Sequence, residues 1–233
     1  MTFRSSYRSL SLRMLAIVAC VAVTASTASA AKYLPINVPG SISTQVFGIN
    51  NHDSIVGSYT TSTFLLKGFV RRGSTYTDIV YPGTTFDIAT GINDLGQIVG
   101  YYADANGTDH GFLYEHGKFT VIDDPSGTDT MVNGINNDGM IVGFYYDSQG
   151  LSHGFKLKHD VYTTINGPEA IRTSANGINH EGVIVGYYLD PGFRQHGFIL
   201  KSGSLKTVDY PITNADTSPN GIDDRSVIVG NYG

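Results

Sequence analysis

Three histidines recur at one interval. His110, His153 and His196 each precede a Gly-Phe pair and lie 43 residues apart, with Lys67 in the corresponding place one interval earlier. Imidazoles on strands that line a common axis could share a metal ion, whereas on outer strands each would bond its own loop. The second arrangement is expected, because a residue that shapes a loop repeats as faithfully as a ligand does. Ahead of His110, Asp104, Asn106 and Asp109 give one loop the oxygen-rich look of a calcium site. The pattern decays in the equivalent loops Asp147–Gly150 and Asp190–Phe193, and no bidentate Glu closes it as in the helix-loop-helix calcium motif. Solvated turns explain these loops, so no cofactor is expected and calcium is the one alternative.

A second group of side chains breaks the repeat. Lys67, Arg71 and Arg72 lie in the first copy, Glu115 and His116 in the second, Glu169 and Arg172 in the third, and Arg194 in the fourth. A fold does not require its departures from its own pattern, so a single ligand site should fall among these residues. None of the Gly-x-Ser-x-Gly, His-Glu-x-x-His, P-loop or dinucleotide patterns occurs. Acidic residues are numerous enough for paired-carboxylate chemistry on a sugar, yet nothing singles out a pair.

The elements that must position these groups follow from one stretch. Gly91-Ile92-Asn93-Asp94-Leu95-Gly96-Gln97-Ile98-Val99-Gly100-Tyr101-Tyr102 returns with edits at Gly48, Gly134, Gly177 and Gly221. A proline keeps the same interval at Pro39, Pro82, Pro125, Pro168 and Pro211. The Asn and Gly of the stretch suit a bulged hairpin turn, with Asp53 and Ser226 replacing that Gly in the outer copies. Period-2 alternation then sets Ile98, Gly100 and Tyr102 on one face of a strand and Val99 and Tyr101 on the other. Each unit holds about four short antiparallel strands, and no segment keeps a helical period. Four-stranded units of this length are characteristic of propeller blades, which stack because none can bury its apolar face alone. The expected fold is therefore all-β, a five-bladed β-propeller over residues 31–233 with its last blade shared between the termini; an open β-solenoid is the alternative. The sequence stops before an equivalent of His196-Gly197-Phe198, so the closing blade is expected to lack a strand or the chain to be a fragment. The tyrosines at 59, 102, 145, 188 and 232 read as packing beside the strand glycines Gly57, Gly100, Gly143, Gly186 and Gly230, where a neighbouring sheet comes close, rather than as sugar platforms.

Residues 1–30 carry Arg4, Arg8 and Arg13, the apolar run Met14–Val23 and the exit Ala28-Ser29-Ala30, the layout of a secretory signal peptide. Its apolar run is too short to span a membrane. A lipoprotein box at Ile17–Cys20 is the alternative. Cleavage after Ala30 removes the single cysteine, which excludes thiol chemistry and disulfides from the mature chain. It also removes three Arg and no acid, leaving 12 basic residues against 20 acidic and a net of −8. That balance argues against nucleic acid and anionic membranes as partners.

With the repeated Gly-Ile-Asn-Asp-x-Gly-x-Ile-Val-Gly-x-Tyr stretch followed by His-Gly-Phe, residues 33–233 resemble the bacterial extracellular repeat family named for a His-Ala-Phe signature. Gly111, Gly154 and Gly197 replace its Ala, no Trp follows the Phe, and no C-terminal sorting tail is present. The resemblance implies export and a propeller-like repeat, and it brings no catalytic residues. The expected function is a secreted or periplasmic binding module for extracellular carbohydrate or a surface partner. The alternatives are a propeller-type hydrolase or lyase and a calcium-stiffened surface protein.

Overall fold

In the computed structural model, described for residues 34–212 and 215–233, the repeat appears as a series of antiparallel sheets. The signal-peptide assignment for residues 1–30 lies outside the described residues. All strands belong to one compact unit, Ile36–Gly233. The first sheet is β1 (Ser43–Ile49), β2 (Ile55–Thr60), β3 (Leu66–Arg72) and β4 (Thr75–Ile79), hydrogen-bonded in that order. The second repeats it with β5 (Asp87–Ile92), β6 (Ile98–Ala103), β7 (Asp109–Glu115) and β8 (Lys118–Ile122). The third holds β9 (Asp129–Ile135), β10 (Ile141–Tyr146), β11 (Ser152–Lys158) and β12 (Val161–Ile165), and the fourth β13 (Arg172–Ile178), β14 (Ile184–Leu189), β15 (Gln195–Lys201) and β16 (Ser204–Thr207). The fifth has two strands, β17 (Thr217–Ile222) and β18 (Ile228–Tyr232). Residues 34–38, placed by sequence at the end of that fifth unit, form no strand.

Alternation along each second strand divides its side chains between two interfaces. Ile98 and Tyr102 bury against the first sheet with Val56, Val70 and Ile79. Val99, on the opposite face, buries against the third sheet with Val132 and Phe155. The third strands β7, β11 and β15 each send one phenylalanine, Phe112, Phe155 and Phe198, into the seam with the preceding sheet, and these and Phe69 are fully buried. Burial of each ring contributes about 2–3 kcal/mol, so the sheets are held chiefly by these seams.

The two ends lack such a seam. Val46 and Ile49 of β1 are 47% and 62% exposed, whereas their counterparts Ala89 and Ile92 are 0% and 8% exposed. Val229 of β18 is likewise exposed, where Val56, Val99, Val142 and Val185 are fully covered.

Every first strand carries a bulge in one place, for example between Ala89 and Gly91 and between Ala175 and Gly177. The extra residue is turned toward the next sheet. Thr90 Oγ1 thereby donates to the Val132 carbonyl at 2.7 Å, Asn133 Nδ2 to Ala175 at 2.9 Å and Asn176 Nδ2 to Pro219 at 2.9 Å. The bulge also changes the reason for the strand glycines. A Cβ on Gly100 would lie 1.9 Å from the Ile88 carbonyl, so the close approach comes from the adjacent strand of the same sheet. The glycine that opens the repeated stretch serves the neighbouring sheet instead. A Cβ on Gly91 would meet Gly134 Cα at 3.2 Å, and one on Gly177 would meet Gly221 Cα at 3.0 Å. Sequence reasoning placed the neighbour's approach at the wrong glycine of the pair.

Candidate functional site

The five first strands turn into their second strands around one cavity of about 460 Å³, lined by every unit. Its wall is built by the Asn of the repeated stretch. Asn93 Oδ1 accepts from its own turn, from Leu95 N at 3.1 Å and Gln97 N at 3.0 Å. Its Nδ2 donates to the Asn136 carbonyl of the next unit at 3.0 Å. Asn50 reaches Asn93 in the same way at 2.9 Å, Asn136 reaches Asn179 at 3.1 Å, and Asn179 reaches Asp223 at 3.2 Å. One side chain thus closes a hairpin with its oxygen and ties two units with its nitrogen, a pairing of roles that only an amide can supply. The fifth unit carries Asp223 here, whose Oδ1 accepts from Arg225 N at 2.9 Å and Val227 N at 2.7 Å. Its carboxylate keeps the turn and has no N–H to pass onward.

Above this ladder the next residue of each unit forms the rim: Asn51, Asp94, Asn137, His180 and Asp224. Asp94 accepts from Asn51 N at 2.9 Å, Asn51 Nδ2 at 2.8 Å and Asn137 Nδ2 at 2.8 Å, while its own N–H donates to Asn137 Oδ1 at 2.8 Å. The Asn51 backbone donor chiefly, with the two amide donors, holds the Asp94 carboxyl below the usual range. On the other side His180 N donates to Asp224 Oδ1 at 2.8 Å. Between Asn137 and His180 the rim is unbridged, and the His180 imidazole makes no hydrogen bond among the described residues. The arrangement is therefore two bonded groups of amides and carboxylates, Asn51–Asp94–Asn137 and His180–Asp224, with no hydrogen bond from Asn137 to His180 or from Asp224 to Asn51 among the described residues.

The residues expected to bind ligand lie elsewhere, and none lines this cavity. Lys67 Nζ pairs with Asp78 at 3.0 Å, and Arg71 lies 5.9 Å from the centroid of Tyr76. Arg72 ends β3 near Gly96. Glu115 accepts from Gln97 Nε2 at 3.0 Å, and His116 stands exposed beside it at φ 51°. Glu169 occupies a loop at φ 51°, Arg172 begins β13, and Arg194 approaches Asp209 at 3.6 Å. The structure distributes them over the first, second and fourth sheets and the loops beside them and brings no complete set together. The rim was missed although the same logic of departures marks it: after an Asn kept in four units, the next residue reads Asn, Asp, Asn, His, Asp.

The three histidines sit on third strands and do not line the cavity. His110 Nδ1 lies 2.9 Å from Asp123, His153 bridges Asn166 at 2.9 Å and Asp147 at 3.1 Å, and His196 bridges Asp209 at 2.8 Å and Asp190 at 3.3 Å. Each ring also lies against its strand tyrosine, at 5.1 to 5.3 Å between centroids. Tyr102, Tyr145 and Tyr188 are nearly buried there, so they offer no open platform to a sugar. In the oxygen-rich loop, Asp104 Oδ1 accepts from Asn106 N at 2.8 Å and Thr108 N at 2.9 Å. Asp147 and Asp190 do the same in their loops. Asp109 lies outside this turn on β7, where burial first and then the Asp129 charge push its carboxyl up. Among the described residues no group of three or more His, Cys, Asp or Glu side chains is placed to hold a metal ion.

No protein-family model matches the chain, and no curated protein sequence matches it. Solved structures match it in fold. TolB from Acinetobacter baumannii is similar with a TM-score of 0.57 and 14% identity, over 77% of this chain and 47% of TolB. AofleA from Arthrobotrys oligospora is similar with a TM-score of 0.50 and 13% identity, over 82% of this chain and 66% of AofleA. A six-bladed β-propeller fungal lectin from Aleuria aurantia gives 0.45 and 12%, over 77% and 67%. This chain thus spans about half the length of TolB and just under two thirds of AofleA. The likeness is one of architecture: an all-β repeat of blade-like, four-stranded antiparallel sheets.

Proposed function

We propose that the chain is an exported, non-catalytic binding module of the extracellular repeat family it resembles, built as five blades about one axis, with its ligand site at the mouth of the axial cavity. The observation that carries this reading is the broken rim, where His180 and Asp224 stand unbridged from Asn137 over a cavity of about 460 Å³. Clustered amide, carboxylate and imidazole groups suit a ligand rich in hydroxyls, and carbohydrate is the class that fits them. The lining of one cavity by all five units supports blades around an axis over an open solenoid. A hydrolase or lyase would need a carboxyl group at the mouth tuned upward to donate a proton. Asp94 and Asp223 are both lowered, chiefly by backbone N–H donors, which fits hydrogen-bond acceptance.

Calorimetric titration with a panel of mono- and oligosaccharides tests the proposal. One ligand per chain is expected, with at least about tenfold weaker binding in His180→Ala and unchanged binding in Arg194→Ala. A stoichiometry near five, or indifference to the rim variant, would overturn it.

A further inference from the structure

The cavity under the rim changes character with depth. Each first strand runs toward the rim and ends on an isoleucine, directly before the residue that closes the turn. Ile49, Ile92, Ile135, Ile178 and Ile222 line this cavity, and the same five line a second one of about 330 Å³ on the side away from the rim. Gly134 borders that second cavity, and a Cβ built on it would lie 3.8 Å from Ile178 Cγ2, so this side chain reaches across to the neighbouring first strand. The isoleucines, one from each unit, therefore form an apolar floor between the two cavities. Between rim and floor the hydrogen-bond acceptors are already in use. The carbonyls of Asn93, Asn136, Asn179 and Asp223 each take the amide of the preceding unit and a second bond from a turn N–H, that of Gly96, Gly139, Gly182 or Ser226. The side-chain oxygens of Asn50, Asn93 and Asn136, and Oδ1 of Asp223, each accept two backbone N–H groups. The open polar groups stand higher: the His180 imidazole and Asp224 Oδ2 make no hydrogen bond among the described residues, while Asp224 Oδ1 takes the His180 N–H.

We propose, resting on the reading of the rim as a carbohydrate site, that the cavity selects a sugar bearing a methyl group, which lodges on the isoleucine floor while the ring hydroxyls bond at the rim. A hydroxyl carried below the asparagine ladder gives up its bond to water and finds no acceptor for its proton. A methyl group at the same depth gains apolar contact and loses nothing. Acetamido sugars and 6-deoxy sugars share this chemistry, the first through the acetyl methyl and the second through the methyl at C6. Sugars that carry hydroxyls at every position are the ones the floor rejects, because each presents a donor wherever it is turned. The polar rim thus recognises carbohydrate as a class, and the floor chooses within it.

The test titrates the full chain with two matched pairs, N-acetylglucosamine against glucose and 6-deoxygalactose against galactose. In at least one pair the methyl-bearing sugar is expected to bind at least about tenfold tighter, and the pair that discriminates identifies the source of the methyl group. Ile178→Thr keeps the β-branch and trades the ethyl arm for a hydroxyl. It is expected to shrink that preference at least about threefold, mainly by weakening the methyl-bearing partner. The comparison within each pair is made on the parent protein, so it stands even where the variant folds poorly. Equal binding within both pairs, with His180→Ala still weakening all four sugars, would overturn the methyl preference and leave the rim site in place. A preference that Ile178→Thr leaves untouched would overturn the floor as its cause. No saturable binding of any of the four, or indifference of all to His180→Ala, would overturn the rim reading and this inference with it.

Discussion

Asn136→Asp separates the two roles of the ladder asparagine. The carboxylate retains an oxygen for the turn bonds from Asp138 N at 3.1 Å and Met140 N at 2.9 Å. It loses the Nδ2 bond to the Asn179 carbonyl at 3.1 Å and sets an oxygen against that carbonyl. One neutral hydrogen bond is worth about 1 kcal/mol net, and leaving a largely buried acceptor facing a like dipole adds a similar amount. The expected loss is therefore about 2 kcal/mol. Asn136→Ala, which removes all three bonds, should cost about 3 kcal/mol. For a chain of this size 2 kcal/mol lowers the melting temperature by about 4–8 °C. The control is Asp223→Asn, which restores the amide where the ladder ends; it should move the transition by less than about 2 °C. Thermal unfolding followed by far-ultraviolet circular dichroism reads both. An Asn136→Asp variant that melts with the parent, or an Asp223→Asn variant that shifts as far, would refute the view that the inter-unit bond matters beyond the turn.

Four further outcomes are expected. Gly100→Ala should prevent folding, at a cost above about 4 kcal/mol, because its Cβ would sit 1.9 Å from the Ile88 carbonyl; soluble yield and circular dichroism report it. Asp53→Gly and Ser226→Gly should each raise stability by about 0.5–1 kcal/mol in urea titration, since the native residues hold φ of 56° and 64° where the inner units have glycine. Asp94, Asp104, Asp147, Asp190 and Asp223 are all depressed, in each case chiefly by a backbone N–H donor. Their stabilisation is present above the ordinary carboxylate value near 3.9 and is lost as pH falls through the lowered values, so the melting temperature should drop between about pH 4 and pH 2. Asp87 and Asp109, raised by burial, act in the opposite sense at higher pH, gaining stability as pH falls through their raised values toward about 4, so a melting temperature that fails to drop between about pH 4 and pH 2 would refute the role of the depressed groups. Chelator should leave the transition unchanged, because the Oδ1 atoms of Asp104, Asp147 and Asp190 are engaged by backbone amides; a lowered transition would restore calcium to the account.

The strands and turns were legible because they obey local rules. Alternation at Ile98 to Tyr102 and the Asn-to-Gly turns at Asn93, Asn136 and Asn179 follow from neighbours in sequence, and the structure forms them as expected. The bulge was not legible, since one extra residue in a ladder leaves no mark on composition. Without it, Thr90, Asn133 and Asn176 read as ordinary strand positions, and Gly100 seemed to need space from another sheet. The rim was hidden differently. Asp94 and His180 look like tolerated variation in a turn, and only the lining of one cavity by residues of every unit turns that variation into a surface.

Every bond of the asparagine ladder runs one way, from an amide in one unit to a carbonyl 43 or 44 residues later. Under tension applied at the termini, the protein would therefore behave as a short chain of links rather than as a single body. Links would part from the exposed end sheets inward, and each inner unit released would add 43 residues, a lengthening of about 150 Å once extended. A chain of this build would yield stepwise, one unit at a time, rather than in a single event.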